Sequence, residues 1–373
     1  MAITKVIKQP SDLIINTTIK AASLGGNVAP VALLRRGTDT TEDAILVHDI
    51  DEMPDLGFGE NTEEYALVES MFDVDGFVGP VQIGTFANAD VLSLDDLTAT
   101  PTADGAKVTG MVPGVQKWLE DHIFDGPKWY IPVGMTDDDI KAAADVLYAN
   151  QRGFLVHQVE TIDELSKWHD YAVSTQSLKN HEGHFHAVVE KNVEHKVAAQ
   201  AVAFASTTVL LDWMRIGNLN RDTFTPDDWT QTERDMIESL NGLTVEDKAG
   251  DFMLSGNMEL NGDYIDNAFN AQYNTDYIQL KGQKWLNGKK YTTFNDDNIN
   301  ELVATFEAAG DELFQQGTVA AGDDGKADFH VTAVARANVL AYEISKRTYK
   351  SVTIKQTLPN AFEKVYIDNQ VTL

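Results

Sequence analysis

The chain has 373 residues, enough for two or three domains, and its 43% hydrophobic and 9% aromatic content excludes wholesale disorder. It carries 58 Asp and Glu against 29 Lys and Arg, a formal charge of −29, so neither nucleic acid nor an anionic membrane is expected as a partner. There is no cysteine, which excludes disulfides, thiolate nucleophiles and Cys-ligated zinc.

In chain order, "DLIINTTIK" (12–20) comes first, an apolar, β-branched segment with strand character. No apolar signal-peptide core is visible near the beginning. The most apolar stretch, "VAAQAVAFASTTVLL", is too short and polar to span a bilayer, so a soluble protein made in a cytoplasm is expected. "AILVHDI" and "GPVQIGTF" read as strands, with the helix-like "NTEEYALVESMF" between them. "TATPTADGAKVTG" (98–110) reads as a loop, rich in Thr, Pro, Gly and Asp without periodicity.

From Lys128 to Leu211 strand and helix alternate three times. "KWYIPVG" is a strand, Thr136 an N-cap followed by three Asp in the first turn, and "IKAAADVLYANQR" a helix running to Gly153. "GFLVHQV" is the next strand, and Thr161 with Glu164 reads as a capping box for "IDELSKWHDYAVST". "GHFHAVVE" and "EHKVAAQAVAFASTTVLL" complete the third unit. The alternation predicts βαβ units, with a parallel or mixed sheet covered by helices.

Downstream, Thr225-Pro226 reads as the cap of a helix over "PDDWTQTERDMIESLNG". Beyond Gly242 the character changes. "AGDFMLSG" and "DYIQLKG" read as short strands. Ile299, Leu302, Val303, Phe306, Leu313 and Phe314 form the apolar stripe of one helix closed by Gly317. "DFHVTAVARANV", "YKSVTIKQTL" and "EKVYIDNQVTL" have strand character, so the fold class reads as α/β followed by α+β. Terminal strands need partners: each pairs within its own domain, or is added to a neighbouring subunit.

Charge is segregated. Residues 1–240 hold 17 Lys and Arg against 39 Asp and Glu (−22); residues 241–373 hold 12 against 19 (−7). Two basic clusters stand in the second part: Lys281, Lys284, Lys289 and Lys290, then Lys346, Arg347, Lys350 and Lys355. They are solvated surface lysines, or a positive face for an acidic partner.

Six of the nine histidines (His157, His169, His181, His184, His186 and His195) fall in one stretch that includes "HEGHFH" (181–186). On a strand, His184 and His186 would share a face, and His157 or His181 could complete a zinc site. No HExxH spacing supports this, so the plainer reading is histidines that are solvent-facing or hydrogen-bonded, with no metal or cofactor. G-x-S-x-G, Walker A and G-x-G-x-x-G motifs are also absent. "GFGEN" lacks the last glycine, "DVDG" is a fragment of a calcium loop, and "GDDGK" is a turn. No catalytic residue is indicated.

The order "NTEEYALVESMF…GPVQIGTF", "KWYIPVGMTDDDIKAAADVLYANQRGFLVHQ", "GDYIDNAFNAQYNTDYIQLKGQKWL" and short C-terminal strands resembles the tail sheath proteins of contractile-tailed bacteriophages over about residues 10–373. The resemblance implies a non-enzymatic structural protein of the virion tail, assembled in the bacterial host cytoplasm. Its copies would form hexameric rings stacked helically around a tail tube protein, bounded by baseplate and tail terminator proteins. Contraction would drive the tube through the host envelope. It further implies an N-terminal arm (1–22), an outer α/β region (23–240, divisible at 110/111), an inner, tube-facing α+β domain (241–360) and a C-terminal arm (361–373). Leu13, Ile14, Ile15 and Ile19, with Val365, Tyr366, Ile367 and Val371, become inter-subunit arm residues. Lys346, Arg347 and Lys350 become candidate tube contacts. Two alternatives remain: the sheath of a related contractile injection system, and a metal-dependent α/β enzyme using His157, His184 and His186.

Overall fold

A computed structural model describes residues 29–37, 43–87, 91–92, 111–178, 181–217 and 225–360. The expected arm residues (Leu13, Ile14, Ile15, Ile19, Val365, Tyr366, Ile367 and Val371) and the expected loop at 98–110 lie outside them.

The elements follow in chain order: β1 (Val31–Gly37), β2 (Ala44–Val47), α1 (Glu63–Phe72), β3 (Val81–Ala87), β4 (Val91–Leu92), β5 (Met111–Val112), α2 (Gly114–His122), β6 (Trp129–Val133), α3 (Asp137–Asn150), β7 (Phe154–Val159), α4 (Ile162–Thr175), β8 (Phe185–Val189) and α5 (Val197–Ala205). After them come α6 (Gln231–Ser239), β9 (Val245–Lys248), β10 (Asp251–Leu254), α7 (Ile265–Asn287), α8 (Asp296–Gln316), β11 (Phe329–Ala333), α9 (Ala341–Ser345) and β12 (Val352–Gln356).

Six strands form one mixed sheet in the order β2-β3-β1-β6-β7-β8. All pairings are parallel except the edge strand β2, which runs antiparallel to β3. The sequence explains this: "VALL", "VQIGTF" and "FHAVV" are mostly apolar and buried at every position, as strands covered on both faces require. Alternate residues feed two cores. Val31, Leu33, Trp129, Ile131, Phe154 and Val156 face α1, α5 and the start of α7. Ala32, Leu34, Tyr130, Leu155, Phe185 and Ala187 face α2, α3 and α4 on the other side. The parallel sheet and its helical layers agree with the α/β expectation.

Local signals set most boundaries. The Thr136 hydroxyl accepts from the Asp139 amide while the Asp139 carboxylate accepts from the Thr136 amide, closing a capping box at α3. At α4 only half of the expected box forms: Thr161 accepts from the Glu164 amide, but the Glu164 carboxylate accepts from the Glu160 amide. The tight turn of β9–β10 uses Ala249 and Gly250, both at positive φ (60° and 92°), the twist a two-residue hairpin needs.

Two expectations are corrected. The helix expected from Thr225-Pro226 begins five residues later, because Thr230 and Glu233 form the reciprocal capping box of α6. Residues 227–229 are held elsewhere: Asp227 accepts from the Lys191 amide, Asp228 pairs with the Lys191 ammonium at 3.1 Å, and that ammonium lies 4.1 Å from the Trp229 ring centroid. The strand expected at "DYIQLKG" lies inside α7. Buried positions Ile265, Ala268, Phe269, Gln272, Asp276 and Gln279 recur every three to four residues, which is the helical period. The seven-residue stretch was too short to display it.

Leu243, Val245, Leu254, Leu260, Ile265, Ala268 and Phe269 pack into the two cores of the sheet, so the segment after residue 241 begins against the α/β body. A third core lies farther along, where Ile278 of α7, Phe306 and Leu313 of α8, Val319 and Phe329 meet. Leu302, Phe306, Leu313 and Phe314 of the expected α8 stripe face it, and Gly317 closes the helix in the left-handed conformation (φ 86°). Gly310 lets β11 approach α8: a Cβ there would stand 2.2 Å from the Phe329 ring.

Candidate assembly interface

The enzymatic alternative rests on the histidine stretch. His184, just before β8, and His186 within it do point the same way, and both stack on Phe154, with ring centroids at 4.7 and 5.5 Å. His157 projects from the opposite face of the sheet and meets Trp168 edge-on at 5.6 Å. The sheet therefore separates His157 from the other two, and the proposed chelating trio is not assembled. No cluster of three or more His, Asp or Glu among the described residues is placed to hold a metal.

His184 and His186 are also not solvent-facing. His184 Nδ1 lies 2.6 Å from the Gly153 carbonyl, and burial drives its pKa down to about 3. His186 Nδ1 lies 2.5 Å from the Glu259 carboxylate, with neither side chain exposed. Burial pushes Glu259 up, and the neighbouring His186 pulls it back. These side chains fasten β8 to the segment leading into α7.

A second polar junction fixes α7 across the N-terminal ends of β6 and β7. Arg152 and Asp276 form a 3.1 Å ion pair, each side chain 1% exposed, and Arg152 Nε donates to the Ile123 carbonyl. The Gly153 amide donates to Gln272 Oε1 at 3.0 Å. The Lys128 ammonium lies 5.1 and 4.9 Å from the Phe269 and Tyr273 ring centroids, and burial lowers its pKa. Sequence reading missed this junction, since its members are spread from Ile123 to Asp276.

The far end of the C-terminal region is basic and uneven. Arg336 Nε donates to the Phe294 carbonyl at 3.1 Å, and Phe294 meets Tyr349 edge-on at 5.9 Å. These contacts join the α7–α8 turn to the stretch containing α9. The members of the two basic clusters behave differently. Lys281 and Lys289 are spent on α8 carboxylates, Glu312 at 2.5 Å and Glu301 at 2.6 Å. The side chains of Lys290, Lys346, Arg347 and Lys350 are exposed and make no ion pair among the described residues, while the Lys350 backbone amide donates to the Glu343 carboxylate. Beside them in the chain stand apolar side chains that sequence reading did not single out: Tyr291 (81% exposed), Leu340 (66%) and Tyr342 (65%).

β11 and β12 form an antiparallel pair that stands apart from the large sheet. Phe329, Val331, Val352 and Ile354 face the third core, while His330, Thr332, Thr353 and Lys355 face outward. Among the described residues each strand is paired on one side only. The outer edge of each can therefore accept another strand.

No protein-family model and no curated protein matches this sequence. Solved structures do match. A chain of the anti-feeding prophage (AFP) baseplate, determined with six-fold symmetry, superposes with a TM-score of 0.64 at 11% identity, over 99% of this chain and 100% of that one. The sheath complex of an extracellular contractile injection system, PVC, in the contracted state gives 0.57 at 14% identity, over 99% and 98%. A sheath tail protein from Desulfitobacterium hafniense gives 0.51 at 13% identity, over 86% and 93%. The chain has the fold found in contractile-sheath proteins.

Proposed function

We propose that this protein is the sheath subunit of a contractile tail or a related contractile injection system. The observation that carries the reading is end-to-end likeness: the whole chain, rather than one domain of it, corresponds to whole subunits of such assemblies. The copies would stack as hexameric rings around a tail tube, between baseplate and terminator proteins, and would shorten to drive the tube through an envelope. A bacteriophage tail and an injection system both fit.

The one-sided pairing of β11 and β12 supports the arm mechanism. Two outer edges are available, and two terminal segments, 12–20 and 363–373, have the β-branched composition of strands. Backbone ladders made by such arms would persist while subunits rotate, because the arms act as hinged tethers. Sedimentation velocity of the full chain, compared with variants lacking residues 1–20 or 363–373, tests this. Large assemblies that collapse to single subunits in both deletions are expected. Deletions that assemble like the full chain would refute the arms.

A further inference from the structure

Copies of a chain carrying −29 repel one another, so an assembly of them needs a contact that offsets the repulsion. Residues 37–106 contain seventeen Asp and Glu and no Lys or Arg. In the described part of that stretch, Asp51, Asp55, Glu60, Glu69, Asp73 and Asp75 are all exposed, on α1 and on the turns at either end of it. Burial and then the Glu69, Glu60 and Asp51 carboxylates raise the Tyr65 phenol. Val78, 84% exposed, follows in the turn after α1. This face is the opposite of the basic end in charge, and both carry exposed apolar side chains.

We propose that the basic end (Lys290, Lys346, Arg347, Lys350, with Tyr291, Leu340 and Tyr342) docks on the α1 face of a second copy of this chain. The inference rests on the sheath reading and adds where one subunit holds the next. The two patches differ, so the contact is heterologous, head to tail. Contacts of that kind propagate into rings or helices rather than closing as a pair. Lys346, Arg347 and Lys350 then serve between subunits, in place of the tube contact expected from sequence.

The test is a charge swap in the full chain, read by sedimentation velocity and electron microscopy, with circular dichroism to verify folding. K346E/R347E/K350E and E60K/E69K/D73K should each raise the concentration needed for assembly by at least about tenfold. The variant carrying all six changes should return it to within about threefold of the parent. Unchanged assembly in the triple variants, or folded swap variants that do not recover, would overturn the proposal. Normal self-assembly of K346E/R347E/K350E with weakened co-sedimentation on a tail tube protein would also overturn it, in favour of the tube as occupant. A parent chain that never assembles would refute the sheath reading itself, a different result from a failed swap.

Discussion

Arg152 and Asp276 meet at 3.1 Å in the interior, 124 positions apart in sequence, and their ion pair ties the N-terminal end of β7 to the middle of α7. Removing one partner leaves the other charged and buried. Asp276→Leu or Arg152→Met should each cost about 3–5 kcal/mol, and the double variant less than the sum. Urea denaturation of the four proteins measures this. Additive losses would mean that the pair is not coupled.

Gly310 is where β11 presses on α8, and Gly310→Ala forces a methyl group toward the Phe329 ring. The expected loss is about 1–3 kcal/mol, with hydrogen exchange accelerated in β11 and α8 and unchanged in the large sheet. Uniform acceleration would contradict a separate third core.

Thr230→Ala should destabilise the protein by about 1 kcal/mol, whereas Thr225→Ala should leave stability within about 0.5 kcal/mol. The reverse order would restore the earlier helix start.

Acid should weaken the fold before most carboxylates titrate. Burial lowers His157 to about 4 and His184 to about 3, against an ordinary 6.5. The unfolded chain therefore binds protons that the folded one does not between pH 6.5 and those values. Stability falls as pH falls through that window, by at most about 3 kcal/mol for His157 at pH 4. His157→Phe should flatten the slope. Glu190 has the opposite sign: burial and then Asp227 raise its carboxyl to about 8 from 4.5, so its contribution is present below pH 4.5 and is lost as pH rises toward 8. Glu190→Gln should remove that alkaline loss, and an unaltered profile would contradict the assignment.

What the sequence made legible was local. Capping residues and apolar runs marked β6, α3, β7, α4, β8 and the stripe of α8, because those signals lie within a few residues of the element they define. β1, "VALLRRG", was overlooked although it is central: its apolar run is only four residues long, and the strand continues through Arg35 and Arg36 by pairing with β3 and β6, which are distant in sequence. α7 was misread in part because its buried face is polar (Gln272, Asp276, Gln279) and those side chains find partners only in the folded chain. The histidines drew notice by proximity in sequence, yet the sheet separates His157 from His184 and His186. The basic end was half visible. Lys346, Arg347 and Lys350 stood out as charge, while Tyr291, Leu340 and Tyr342 gained meaning only once they proved exposed.

The central claim is that this chain builds a sheath, and negative-stain electron microscopy of the purified full-length protein at rising concentration tests it most directly. Hollow tubes or stacked rings of regular diameter are predicted. Dispersed single subunits at every concentration, with or without an added tail tube protein, would contradict it.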